Sequence, residues 1–258
     1  MSSKHSEFHI PNSALPGEAR ILHLYYDLMN LYGDWANAAV LARKLALRGC
    51  KAVVERKSVG ENVDFSAYNY IYIGSGTERS QRACMSDMTR HADALIECVE
   101  AGTPLLATGN AHELFGRAVT TAGGERYEAL GLLEFETVQR DTRVTGDCVC
   151  GAAFLPDKLV GFINRAGGGQ QGAIDRPFLT ELGPGADETT RTEGIRYKNL
   201  LGTYLTGPIL VRNPPLLTYF TDMLFPESGA EPGPDDPFFG FQEKAYRKAV
   251  SELMGGVR

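Results

Sequence analysis

Residues 104–116 read PLLATGNAHELFG: an apolar run, a turn of small residues, then the start of a helix-like stretch. In α/β enzymes a turn of this kind at a strand end often carries a nucleophile, with small residues two places before and after it. The flanks fit, as Ala107 and Ala111, but the apex is Gly109, which has nothing to attack with. What the turn is for depends on its surroundings.

Upstream the pattern is an alternation. ILHLYY (21–26) is β-prone and closes at Asp27. Apolar residues at 35, 38, 39, 42, 45 and 46 then follow helical spacing, with Asp34 as the N-cap and Gly49 as the stop. KAVVERKSV (51–59) returns to strand character, which makes a β-α-β unit and hence a parallel sheet. The unit repeats, with YNYIYIGSG (68–76) as a strand, 78–101 as one long helix and TPLLAT (103–108) as the next strand. A helix is expected from Asn110, capped by Glu113. Strands therefore stop at small residues, Gly74 and Gly76 in one case and Gly109 in the other, and carboxyl ends of parallel strands are where α/β sheets hold ligands.

Downstream of residue 131 the runs are consecutive strands: GLLEFETVQR (131–140), RVTGDCVCGAAF (143–154) and KLVGFINRAG (158–167). After a polar, glycine-rich loop comes GIRYKNLLGTYLTGPIL (194–210). Short helices close the chain at 214–224 and 238–254, around the exposed loop PESGAEPGPDDP (226–237). The reading is α/β, with antiparallel strands added in the second half. It divides the chain into a polar segment (1–19), one domain (20–225), and a loop with a terminal helix packed on that domain (226–258).

Composition narrows the function classes. A net charge of −6 and a pI near 5.5 argue against nucleic acid as a partner. No apolar run is long enough for a membrane span, and the N-terminus has no apolar signal core, so a cytoplasmic location is expected. Five cysteines (Cys50, Cys84, Cys98, Cys148, Cys150) are odd in number and scattered, unlike a disulfide framework.

The motifs are weighed singly. GSGTER (74–79) lacks the third glycine of a dinucleotide fingerprint, and no phosphate-binding P-loop is present. Gly74 and Gly76 either turn backbone N–H groups toward a ligand or simply make a tight strand exit. Cys148 and Cys150 share one face of a strand and read as core rather than as metal ligands. His112, one turn from the apex, either faces the pocket or, the favoured reading, is a surface residue in a helix's first turn. DLMNLYGD (27–34) breaks periodicity at a strand's carboxyl end; it is either a site or interface segment, or a loop packed through Met29, Leu31 and Tyr32.

Four blocks carry a resemblance: YYDLMNLYGDWANAAVLARKLALRG, PLLATGNAHELFG, TRVTGD and YKNLLGTYLTGPILVRNP. Together, across residues 20–222, they resemble the cobyric-acid-synthase-type (CobB/CobQ-like) class I glutamine amidotransferases, and within them the glutaminase subunits of lipid II isoglutaminyl synthase. The resemblance implies a three-layer, flavodoxin-like sandwich with a mostly parallel central sheet and no cofactor. It also implies a Mur-ligase-like partner subunit, which uses ammonia to amidate a peptidoglycan precursor. In that family an elbow cysteine attacks the side-chain amide of glutamine, a later histidine serves as base and acid, and backbone N–H groups hold the oxyanion.

Carried over by position, the family's Cys-Gly-Gly-Tyr-Gln-x-x-Gly falls on residues 109–116, so Gly109 stands where the nucleophile belongs. The family's GTYLHGP is GTYLTGP here, so Thr206 stands where the base belongs, and Arg165 replaces a histidine in the turn after GF. Arg143 matches the arginine that holds glutamine. Two losses inside two intact motifs imply a chain that binds a partner without hydrolysing glutamine. Two alternatives stay open. One is an enzyme with a displaced nucleophile (Cys84, Cys148 or Cys150 with His112). The other is a sensor holding glutamine through Arg143, with Gly74 and Gly76 as further binding positions.

Overall fold

The computed structural model describes residues 17–172, 174–186, 191–226 and 236–255. The polar N-terminal stretch and the loop after Pro226 lie mostly outside those residues. β1 (Glu18–Leu24) leads through a loop to α1 (Trp35–Leu47) and β2 (Lys51–Lys57). β3 (Tyr70–Ile73) leads to α2 (Glu78–Met88) and α3 (Ala92–Glu100), and β4 (Leu105–Thr108) ends at the glycine apex. The second half is mostly strand: β5 (Ala118–Thr120), β6 (Arg126–Glu128), β7 (Glu136–Ala152), β8 (Leu159–Gln171) and β9 (Phe178–Leu182). It continues through β10 (Thr192–Glu193), β11 (Ile195–Tyr197), β12 (Leu200–Thr203) and β13 (Leu205–Thr206). Helices α4 (Ile209–Arg212), α5 (Pro214–Leu224) and α6 (Pro237–Gly255) follow.

The first sheet has the order β11-β12-β4-β3-β1-β2, parallel except for the edge strand β11. Alternate residues feed two cores. Ile21, Tyr70, Tyr72 and Leu106 face one core with Leu41 and Leu45 of α1 and Leu217 and Phe220 of α5. Leu22, Ile71, Ile73 and Leu105 face the other with Cys84 and Met88 of α2 and Leu95 and Val99 of α3. This is the three-layer arrangement, and covering both faces is why β3 and β4 are buried at every position. Phe220 meets Tyr70 edge to face at 5.3 Å, a contact worth about 1 kcal/mol beyond the burial of its ring.

The second sheet runs β10-β9-β7-β5-β6, with β8 pairing both β7 and β13. β7 joins two runs that the sequence separates, because its polar middle is solvent-exposed and the register with β8 slips between Gln139 and Val144. The region read as a polar loop after β8 carries β9 and β10. Tyr246 of α6 packs on Val149 and Val160 and donates its hydroxyl to Lys158 O at 2.6 Å.

Two helical expectations change. The long helix 78–101 divides at a 3₁₀ turn, Thr89–His91. There Thr89 Oγ1 donates to Ser86 O, competing with the backbone ladder. Nearby, Asp87 reaches out of the helix to accept from Tyr25 OH and Gly60 N. After the apex there is no α-helix, only a 3₁₀ segment, Gly109–Phe115, that ends where the chain pairs as β5. The helix fails because Glu113 is not a cap; its side chain is drawn into the interior.

Candidate functional site

Parallel pairing brings the carboxyl ends of β1, β3, β4 and β12 to one edge, with Thr203 beside Thr108. A buried carboxylate ties the ends of β3 and β4 together. Asp34 Oδ1 accepts from Tyr72 OH at 3.1 Å and Thr108 Oγ1 at 3.3 Å, and its Oδ2 accepts from Tyr32 N and Ser75 N, each at 3.2 Å. Asn37 extends the network, donating to Tyr72 OH and accepting from Leu210 N. Asp34 does hold the N-cap position of α1, but its side chain caps nothing in the helix and points to the strand ends instead. Burial pushes its carboxyl up to about 6, against four hydrogen bonds that pull the other way.

The two strand-exit glycines serve close approach. A Cβ on Gly74 would lie 2.6 Å from Asp34 Cβ, and one on Gly76 would lie 2.9 Å from Leu28 O, so the 28–34 loop can seat only on glycines. That loop is packed through Met29, as one of the two readings of DLMNLYGD had it, while Leu31 stays half-exposed. Gly76 also lines the pocket below the apex and donates its N–H to Asn110 Oδ1 at 3.0 Å.

Gly109 has φ +59°, the left-handed conformation that favours glycine. A Cβ there would lie 2.7 Å from Ser75 Cβ and closer still to its Oγ. Ser75 is 2% exposed, and its hydroxyl has no hydrogen-bond partner among the described residues. The space in which a side chain at position 109 would begin is therefore held by Ser75. No motif singled this residue out; the signal was the side-chain-bearing letter between Gly74 and Gly76.

Around the apex the groups are fixed to one another. His112, read as a surface residue, is fully buried, because the 3₁₀ turn aims it inward. Its Nδ1 lies 2.8 Å from Gly109 O, its ring meets Tyr204 edge-on at 4.2 Å, and burial pushes its pKa down to about 3. Glu113 accepts from Gln81 Nε2 at 2.7 Å and Tyr204 OH at 2.8 Å. Burial holds that carboxyl near 7 despite these donors. Thr206 donates its hydroxyl to Phe162 O at 2.7 Å, joining β13 to β8. Arg165 folds inward, 6% exposed, donating to Gly167 O and Gly185 O, with its Nε unpartnered.

Arg143 lies at the rim. Its Nε donates to Asn164 Oδ1 at 2.6 Å, one terminal nitrogen pairs with Glu78 at 2.6 Å and the other donates to Asn164 O at 3.1 Å. Asn164 in turn donates to Tyr32 OH at 2.9 Å. The structure thus brings Gly109, Thr206, Arg143 and Gly76 around one pocket and leaves Gly74 behind it. The free volume is only ≈10 Å³, room for about one water molecule. A hollow of ≈610 Å³ beside Phe65, Cys98 and Pro104 lies at the opposite ends of the strands.

No cysteine lines the apex pocket. Cys84 sits in the core under α2, where burial pushes its thiol up to about 12. Cys148 and Cys150 face each other at 3.3 Å in the other core. Among the described residues, no helix is long and apolar enough to cross a membrane.

Comparison with known proteins gives a consistent picture. Residues 20–214 match the CobB/CobQ-like glutamine amidotransferase domain. The chain is 32% identical over 205 residues to the GatD subunit of lipid II isoglutaminyl synthase (glutamine-hydrolyzing) from Staphylococcus aureus, covering 80% of this chain and 84% of that one. It is 29% identical over 208 residues to the subunit of the same name from Streptococcus pneumoniae, covering 77% of each. Among solved structures, PurLQS from Thermotoga maritima matches with a TM-score of 0.53 at 12% identity, covering 79% of this chain and 96% of that one. A glutamine amidotransferase structure matches with a TM-score of 0.51 at 15% identity, covering 79% and 98%.

Proposed function

The chain belongs to the CobB/CobQ-like glutamine amidotransferase family, and from that premise we propose that it is a non-hydrolysing subunit of a lipid II isoglutaminyl synthase-type assembly. In this reading it is cytoplasmic and docks on a Mur-ligase-like partner, while ammonia for amidation comes from solution. The observation that carries the reading is at the apex. Position 109 is glycine, its side-chain space is taken by Ser75, and the free volume below it is only ≈10 Å³.

The chemistry follows from what is missing. Opening an amide needs a nucleophile within reach of a base. Here the unpartnered hydroxyl of Ser75 has no base within hydrogen-bond distance, and the hydroxyl of Thr206 is spent on Phe162 O. Losing nucleophile or base costs on the order of 10⁶ in turnover in a comparable hydrolase. Preorganised donors alone leave roughly 10³–10⁴ over water, too little to feed an amidation.

The test is co-expression with a Mur-ligase-like protein from the same source, followed by size exclusion. A stable complex that amidates its acceptor with ammonium, and not with glutamine, is the expected result. Failure of the two chains to associate removes the subunit reading, and amidation driven by glutamine removes the non-hydrolysing one.

A further inference from the structure

A second hollow, of ≈460 Å³, opens at the carboxyl ends of β1 and β2, beside the start of α1. It is lined by His23, Tyr26, Asp27, Asn30, Trp35 and Arg56. Its size is in the range of small-molecule sites, and its place at strand carboxyl ends is where α/β sheets hold ligands. None of these residues takes part in the apex pocket.

Three features make it more than a surface dent. Trp35 is 52% exposed although it begins a helix whose inner face is core, and its backbone N–H is fixed by Asn30 Oδ1 at 2.8 Å. Arg56 stands in register with His23 on the neighbouring strand, with its guanidinium 5.8 Å from the Tyr26 ring centroid. It has no ion pair among the described residues; Asp27, the one acid in the lining, accepts from Ser58 Oγ and keeps its charge. His23 is 1% exposed and floors the hollow, its Nε2 buried and without a hydrogen-bond partner among the described residues. Burial, and secondarily Arg56, pushes its pKa down to about 4, so the ring is neutral and either tautomer is open to it.

We infer that this hollow binds a planar heteroaromatic anion of mononucleotide size. The ring stacks on the exposed face of Trp35, with Tyr26 beside it. The anionic group pairs with Arg56, whose planar fork fits phosphate or carboxylate. No phosphate loop is involved, and the site stands apart from the elbow, so its fate is independent of the proposed subunit role.

Trp35 is the only tryptophan in the chain, so its fluorescence reports on this hollow alone. The experiment titrates the full-length protein with AMP and with UMP, using adenosine as the ring-only probe and ribose 5-phosphate as the anion-only probe. Saturable quenching by at least one nucleotide, with both partial probes at least tenfold weaker, is expected. Arg56→Gln weakens the nucleotide about tenfold or more, an effect that a folding defect is separated from by an unchanged melting temperature. No saturable quenching at millimolar nucleotide, or quenching that Arg56→Gln leaves unchanged, overturns the inference. So does a Trp35 signal that responds only to complex formation with a protein partner, since the hollow is then an interface.

Discussion

Ser75 occupies the space into which a side chain at position 109 would grow: a Cβ on Gly109 would lie 2.7 Å from Ser75 Cβ, with the Ser75 hydroxyl nearer still. Gly109→Cys is therefore costly twice. The left-handed backbone strains a non-glycine residue by about 1–3 kcal/mol, and overpacking against Ser75 adds about 1–3 kcal/mol. Urea denaturation is expected to show the summed loss, and adding Ser75→Gly is expected to return the overpacking part. Gly109→Cys as stable as the parent contradicts this. The double variant Gly109→Cys, Thr206→His is expected to release no ammonia from glutamine while Ser75 remains.

Glu78 and Arg143 form an exposed pair at the rim, worth at most about 1 kcal/mol. Glu78 is thus a weak competitor for a substrate carboxylate, and the barrier to glutamine is the lack of room behind it. Calorimetry with glutamine is expected to show no saturable heat for the parent or for Glu78→Gln. Saturable heat that vanishes in Arg143→Ala establishes the sensor reading instead.

The buried Glu113 carboxyl gives the fold a pH dependence. Its folded pKa is raised from 4.5 to about 7, so its contribution favours the folded state below 4.5 and is lost as pH rises through about 7. At about 1.4 kcal/mol per pH unit, the span is worth about 3 kcal/mol. Asp34 acts in the same direction up to about 6. His23 and His112, held neutral, act oppositely and lose stability as pH falls below 6.5. The difference between the parent and Glu113→Gln isolates the one group: the variant gains on the parent between pH 5 and pH 8. A difference flat across that range contradicts the assignment.

Asp34→Ala orphans Tyr32 N, Ser75 N and one of the Tyr72 and Thr108 hydroxyls, which lie 2.8 Å apart so that one can donate to the other. Each orphaned donor costs about 1–3 kcal/mol, reduced where water enters. A loss of about 3 kcal/mol or more is expected as a lower urea midpoint at unchanged slope. Asp34→Asn keeps one acceptor oxygen and loses less. A loss below about 1 kcal/mol for the alanine variant contradicts the network's role.

Much of this was readable from the chain. Apolar runs covered on both faces announced β3 and β4, and helical spacing announced α1, because periodicity reports burial directly. The family pattern marked Gly109, Thr206 and Arg143, which the fold does gather around one pocket. What was hidden depends on contacts between distant segments. Glu113 looked like a cap because its partners Gln81 and Tyr204 lie 32 and 91 residues away. His112 looked exposed because helical spacing was assumed where a 3₁₀ turn aims it inward. Ser75 carries only the faint signal of a side chain between two glycines, since filling a neighbour's space is a property of the folded backbone.

Ammonia release from glutamine by the purified chain, alone and with a Mur-ligase-like partner, tests the central claim most directly. The account predicts no release above the protein-free blank in either case. Turnover on the order of 1 s⁻¹, in the ordinary enzymatic range, would contradict it.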